Sequence, residues 1–491
     1  MARLPLVVVL VGTLALPGCG DNGAVTYTTG TLPTTLAPGT TTSSTTSGST
    51  TTLPGEVGSR GVGDSYFPEL GNGGYDVEHY LIESVVDPET GEITAGSTTI
   101  TAVATVDLAG FFIDFRSLEI LDLQVDGVSA EYEVVGADVR ITPAATIPAG
   151  EEFVVGVEYR GRPGLTVLPG LDLDAGWIFN AEGVYVVAEP DGAHTWFPGS
   201  DHPRDKARFT IITTVPEPFV VASNGVLAGE SSADGMTTFI WEMNHPMATY
   251  LATIVVAEMV RIDSDPVNGI EIRDYLPTDI SGRLPQAFER TGEWLVLFES
   301  WFGPYPFDSY GHVVVSDFGA ALETQTMSVM DRRSLKEVVV VHELAHQWFG
   351  NSVSVDSWHD IWLNEGFATF AEFLWIEHEL GRAAMQAEAA IRYSIVEDRV
   401  YDPIADPGAD DLFGLAVYWR GGLALHALRA EVGDEVMREI LQTYAARFAD
   451  GNASTEDFIA LATEVSGHDL AALFDAWLYQ TDLPPLPSLE G

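Results

Sequence analysis

Near Asp263 the hydrophobic rhythm of the chain changes, and this switch constrains the fold more than any other feature. From about Gly63 to Ile262, short Val/Thr/Ile-rich runs such as "STTITAVATVDL", "EEFVVGVEYRG" and "FTIITTVPEPFVVASNG" are separated by Gly, Pro and Asp. Such runs between turn residues predict strands. Beyond Asp263, "SGRLPQAFERTGEWLVLFESWFG" sets Phe288, Trp294, Leu295, Leu297 and Phe298 at helical spacing. "SYGHVVVSDF" (Ser309–Phe318) reads as a strand within this second half. Helices are expected from Val338, from about Leu363 to Leu380, and onward to about Tyr479. The expected architecture is a β domain over 63–262 and a mostly helical domain over 263–487, with no internal repeat.

The 491 residues allow two or three domains. The 23 Lys and Arg stand against 72 Asp and Glu, a net charge of −49, and the lysines are Lys206 and Lys336 alone. A surface so acidic repels phosphates, which excludes a nucleic-acid partner and suits a salt-rich habitat. The single cysteine, Cys19, permits no internal disulfide. It closes a leader (residues 1–19) with Arg3, an apolar run Leu4–Leu16 and Leu16-Pro17-Gly18-Cys19. This is a secretory signal, too short to span a membrane comfortably. Its end resembles a bacterial lipobox, with Pro17 where Ala or Ser is commoner. Cys19 would then carry a lipid anchor to the membrane on the outer side of a bacterial envelope; without lipidation the protein is secreted. Residues 20–62 are dominated by Thr, Ser, Gly and Pro, and are expected to form a disordered tether.

The chemistry concentrates in "VVVVHELAHQWFGNS" (Val338–Ser352). His342 and His346, four apart on a helix, face one side and can reach one metal ion. Glu343 lies about 100° round the helix, where it meets solvent beside the metal. The plain alternative is a core helix with polar residues outward. A catalytic zinc also needs a third protein ligand and an open position. Eighteen residues separate His346 from Glu365, which opens a helix whose Phe367, Phe370, Ala371 and Leu374 would pack it on the first. A solvated first-turn glutamate, favoured by the helix dipole, is the alternative for Glu365.

H-E-x-x-H, eighteen residues, then N-E-G-F-A resembles the gluzincin aminopeptidases of the membrane alanyl aminopeptidase family, which includes the leukotriene hydrolases. The resemblance runs from about Asp64 to Pro487. It implies a saddle-like antiparallel β domain followed by a thermolysin-like catalytic domain, and one Zn²⁺ on His342, His346 and Glu365. "GAALETQTMS" (Gly319–Ser328) resembles the family's G-A-M-E-N motif, which implies substrate contacts at Ala320 and Ala321 and an α-amine anchor at Glu323; Thr324 replaces the Asn. "AEPDGAHTWFPGSDHPRDKARF" (Ala188–Phe209) implies a second amine-binding acid at Glu189, with His194 and Gly199 in place of the family's Arg and Cys and Asp201 and Lys206 as structural residues. "GLAVYWRGGLALHAL" (Gly414–Leu428) implies an oxyanion-stabilising Tyr418, with Arg420 replacing Lys. "LGNGGYDVEHYLI" (Leu70–Ile82) marks the opening strand. The long helical-repeat domain of many relatives has no counterpart in this sequence.

The resemblance thus implies removal of the N-terminal residue from peptides with a free amine, with Glu343 as general base. Asp360 and Asn364 are candidates for holding the ligands. His312, His359, His378 and His426 lack ligand spacing and are expected to be structural. The rival expectations are a zinc endopeptidase, an epoxide hydrolase, and a tethered peptide-binding protein with an inactive site.

Overall fold

The computed structural model describes residues 55–171, 173–399 and 401–489. The leader, Cys19 and the tract up to residue 54 lie outside the described residues.

Strands form where side chains alternate. In Tyr75–Asp87, Val77, Tyr80, Ile82 and Val86 turn inward while Glu78 and Glu83 face solvent. In Glu152–Gly161, Phe153, Val155, Val157 and Tyr159 turn inward. Such strands bury one face of a sheet. That sheet has eight strands, in the order Val226–Ala233, Met236–Met247, Ala207–Pro216, Tyr75–Asp87, Glu92–Ala104, Glu152–Gly161, Glu119–Val125 and Val128–Ser129. It is antiparallel except where Ala207–Pro216 runs parallel to Tyr75–Asp87. A five-stranded sheet contains Gly183–Val187, buried along its whole length, which leads straight to Glu189.

The expected disorder does not extend through residue 62. Glu56–Val57 forms a strand parallel to Leu108–Asp114. Glu56 N and Gly58 N donate to Asp107 O and Gly110 O at 2.7 and 2.9 Å, and Arg60 pairs with Glu69 and with buried Asp138. Backbone pairing and a buried counter-charge order a stretch that its composition alone would leave loose.

The helical half is built on a sheet in the order Met259–Val267, Ile270–Pro277, Ser309–Val315, Ser328–Asp331, Ala321–Leu322. Met259–Val267 runs through the expected boundary at 262–263 because its partner is Ile270–Pro277. Ser309–Val315 is buried throughout and parallel to both neighbours. Ala321–Leu322 is the edge strand, and Glu323 follows it.

Around this sheet lie α1 (Thr291–Phe302), α2 (Glu337–Ala345), α3 (Trp362–Leu380), α4 (Arg382–Glu397), α5 (Leu415–Val432), α6 (Asp434–Arg447) and α7 (Thr455–Ser466). Phe288 sits outside α1, in a 3₁₀ turn that follows Pro285. Val340, Val341, Leu344 and Ala345 of α2 are buried, as are Phe367, Phe370, Ala371 and Leu374 of α3. α3 and α5 cross at Gly366 and Gly421, where a Cβ on either would lie 2.8 or 2.7 Å from the other's Cα. Only glycines allow this approach. No described helix is long and apolar enough to cross a membrane.

Polar contacts stitch the halves together. Asp64 accepts hydrogen bonds from Ser357 Oγ (2.6 Å) and Trp358 N (2.8 Å) and lies 3.2 Å from His202 Nε2. Arg204 makes a two-pronged pair with Asp356 at 3.1 and 2.9 Å. Lys206 Nζ donates to three carbonyls of the helical half, Asn351 (2.8 Å), Ser352 (2.9 Å) and Gly451 (3.2 Å).

Candidate active site

α2 carries His342 and Glu343 and ends at Ala345, so His346 caps it. The two imidazole rings stand 4.8 Å apart at 77°. Glu365 enters from the first turn of α3. Its Oε2 lies 3.1 Å from His342 Nε2 and 3.5 Å from His346 Nε2. One donor atom from each of the three falls within 4.8 Å of the others. The remaining ring nitrogens are occupied: His342 Nδ1 lies 2.8 Å from Glu372 Oε1, and His346 Nδ1 lies 3.1 Å from Phe349 O. With Nδ1 donating to those acceptors, each Nε2 is turned toward the Glu365 carboxylate, and loss of the Nε2 proton would leave its lone pair for a metal ion. Two neutral imidazoles and one carboxylate, oriented by outer acceptors, are a donor set that fits Zn²⁺.

Charge follows this packing. Against burial, Glu365 and Glu372 raise His342 well above 6.5, and Glu323 and Glu365 raise His346 to about 9. These imidazolium charges in turn hold the buried Glu365 carboxyl down to about 2, and a bound zinc would take the place of the two protons. Glu343, 5 % exposed, is pushed up to about 8 by burial, with Glu323 and Glu365 adding to the rise and the two imidazoles opposing it. Burial also lifts the Tyr418 phenol well above 10, as do the surrounding glutamates, so it stays protonated. The Tyr418 ring stacks on His342 at 5.8 Å and 20°. The Gly366–Gly421 crossing brings it there, one helical turn before Gly421.

Glu323 and Glu189 meet beside this cluster from opposite halves. One oxygen each of Glu189, Glu323 and Glu365 lies within 4.8 Å of the other two. Both Glu189 and Glu323 are 2 % exposed, and among the described residues Oε1 of each has no hydrogen-bond partner. The Glu323 carbonyl is gripped by Asn351 Nδ2 (2.7 Å) and Gln347 Nε2 (3.1 Å). Ala321 pairs with Met330 in the edge strand, and Ala320 O accepts from Asp331 N at 3.0 Å.

Other expected residues fall elsewhere. Asp360 accepts from Thr455 N and Oγ1 at 3.0 and 2.6 Å, and Asn364 Nδ2 reaches Tyr250 OH at 3.5 Å; neither is bonded to a ligand side chain. The residue that holds His342 is Glu372, braced by Arg392 Nη2 at 2.5 Å. Its spacing of seven from Glu365, two helical turns, was a usable signal. His312 pairs with Asp274 at 2.7 Å and stacks on Phe288, away from the cluster. Arg420 does not enter the cleft; it donates to the carbonyls of Trp477, Ala476 and Gln480 at 2.8, 3.0 and 2.5 Å.

Residues 286–477 match the peptidase family M1 domain, and residues 180–251 match the peptidase M1 N-terminal domain. The crystal structure of the M1 zinc metallopeptidase from Deinococcus radiodurans superposes with a TM-score of 0.83 at 32% identity, over 88% of this chain and 99% of that one. The chain belongs to the M1 peptidase family. Among M1 relatives, rice aminopeptidase M1-A is 30% identical over 327 residues, covering 60% of this chain and 37% of the rice protein. Human glutamyl aminopeptidase is 29% identical over 325 residues, covering 61% and 34%. The chain therefore matches little more than a third of the length of these curated M1 relatives. A mutant of the Deinococcus radiodurans M1 enzyme has been crystallised with a Tyr-Ser-Ala substrate.

Proposed function

We propose that this protein is a zinc aminopeptidase that removes the N-terminal residue from peptides with a free amine. The observation that carries this reading is the pair of unpartnered, buried carboxylate oxygens on Glu189 and Glu323 beside the His342–His346–Glu365 cluster. Carboxylates so close and so dry repel one another until a cation arrives. A peptide's –NH₃⁺ satisfies both through charge-assisted hydrogen bonds, and its position fixes the scissile bond one residue in.

His342, His346 and Glu365 would hold the zinc, which supplies a Lewis acid for the scissile carbonyl and lowers the pKa of water. Glu343, one residue from His342 and buried beside the cluster, takes the proton of the attacking water and returns it to the leaving amine. Tyr418 donates its phenolic hydrogen to the oxygen that gains negative charge. Glu372 keeps the His342 proton on Nδ1.

At the cell level, we read the leader ending in Cys19 as support for an extracytoplasmic, lipid-anchored location in a bacterial envelope. Arrival of a Cys19→Ala variant in the membrane fraction at wild-type levels would remove that reading.

The test of activity compares an alanyl arylamide with its N-acetylated twin, before and after chelation. Turnover of the free-amine substrate alone, lost on chelation and restored by zinc, is expected. Equal cleavage of both substrates would indicate an endopeptidase. No turnover in zinc-loaded protein would indicate a binding protein.

A further inference from the structure

Lys206 is one of two lysines in a chain with 72 acidic residues, yet among the described residues no carboxylate forms an ion pair with it. Its ammonium donates instead to three backbone carbonyls, those of Asn351, Ser352 and Gly451. Three donors meeting three acceptors use the full capacity of the group and fix its position. Two of the carbonyls belong to the turn that follows His346, where Asn351 N donates to His346 O at 3.0 Å. From this turn the Asn351 amide reaches the Glu323 carbonyl at 2.7 Å. Lys206 itself belongs to the β half, downstream of Glu189 and immediately before the strand Ala207–Pro216. A continuous polar chain therefore runs from the half that carries Glu189, through Lys206 and Asn351, to the backbone of Glu323.

We infer that Lys206 is a positioning residue that sets the span between Glu189 and Glu323 and thereby tunes selection of the substrate's free amine. It does not touch the substrate. The inference rests on the aminopeptidase reading and adds to it a named determinant of amine selectivity. The Arg204–Asp356 pair crosses the same seam but ends on Asp356, with no bond to Asn351 or Glu323. It therefore provides an internal control for loss of seam contacts in general.

The experiment uses the full, zinc-loaded chain and two probes measured by calorimetry: alanine hydroxamate, which bears an amine, and acetohydroxamate, which has the same metal-binding head without one. Wild type should bind the amine probe more tightly. Lys206→Met should weaken the amine probe about tenfold while acetohydroxamate stays within roughly twofold, as expected for one displaced charge-assisted bond. Asn351→Ala breaks the same relay at its other end and should show the same selective loss, which keeps the test decisive if Lys206→Met does not fold. Arg204→Gln should leave the ratio of the two affinities unchanged. Equal weakening of both probes, an unchanged ratio, or a matching shift in Arg204→Gln overturns the role of Lys206. If wild type itself shows no preference for the amine probe, the aminopeptidase reading fails and this inference falls with it.

Discussion

Gly366 and Gly421 let α3 and α5 touch backbone to backbone, with a Cβ on Gly421 falling 2.7 Å from the Gly366 Cα. The contact sits one residue from Glu365 and one helical turn from Tyr418. Gly421→Val should push the helices apart, cost about 1–3 kcal/mol as overpacking does, and lower kcat by displacing Tyr418. Thermal melts and steady-state kinetics would show it; an unchanged kcat would mean Tyr418 does not depend on the crossing.

Glu343 lies among the ligands without being one of the His–His–Glu set. Glu343→Gln should therefore keep its zinc, measured by elemental analysis, while kcat drops by about 10²–10⁴. Activity near wild type would remove it as the base.

Glu323→Ala deletes one of the two carboxylates that await an ammonium. KM for free-amine substrates should rise roughly tenfold or more, the scale of a hydrogen bond to a charged group. A KM that does not move would sever Glu323 from amine binding.

Glu372 holds the Nδ1 side of His342 at 2.8 Å. Glu372→Gln should weaken zinc binding roughly 10- to 100-fold, read by competition with a chelator and independent of any substrate.

Asp64 joins the halves through Ser357 and Trp358, and His202 of its own half braces it. Burial would raise its carboxyl, but hydrogen bonds from His202, Ser357 and the amides of Phe67 and Trp358 pull it well below 3.8. A depressed folded pKa adds stability that is complete above the ordinary pKa and is lost as pH falls through the folded value. Asp64→Asn should therefore cost about 1–3 kcal/mol near pH 7, and its deficit should shrink below about pH 4. Denaturant melts at both pH values would test this, and a deficit that does not change with pH would sink it.

The pairing of His342 with His346 is legible because it is written in the period of one helix; Glu365 needs a second helix to deliver it, and the break near Asp263 is blurred by the strand Met259–Val267 that runs through it. Glu323 and Glu189 emerged only from motif likeness, since their meeting depends on two halves docking. Glu372 was passed over because it sits on a helix that otherwise reads as core, and its role is visible only once His342 points at it. Asp360 is nearer Glu365 in sequence, but α3 has not yet begun there and its carboxylate serves the start of α7. The ordering of residues 56–62 was hidden for the same reason as Lys206: both depend on acceptors supplied by remote segments.

The strand Ala321–Leu322 closes its sheet, so among the described residues no strand lies along its outer row of amides and carbonyls. A peptide substrate of the proposed reaction would pair with that row only in an extended form. Peptides stapled into helices should resist trimming while their linear counterparts do not, and for folded proteins the pace would be set by how often the terminus frays.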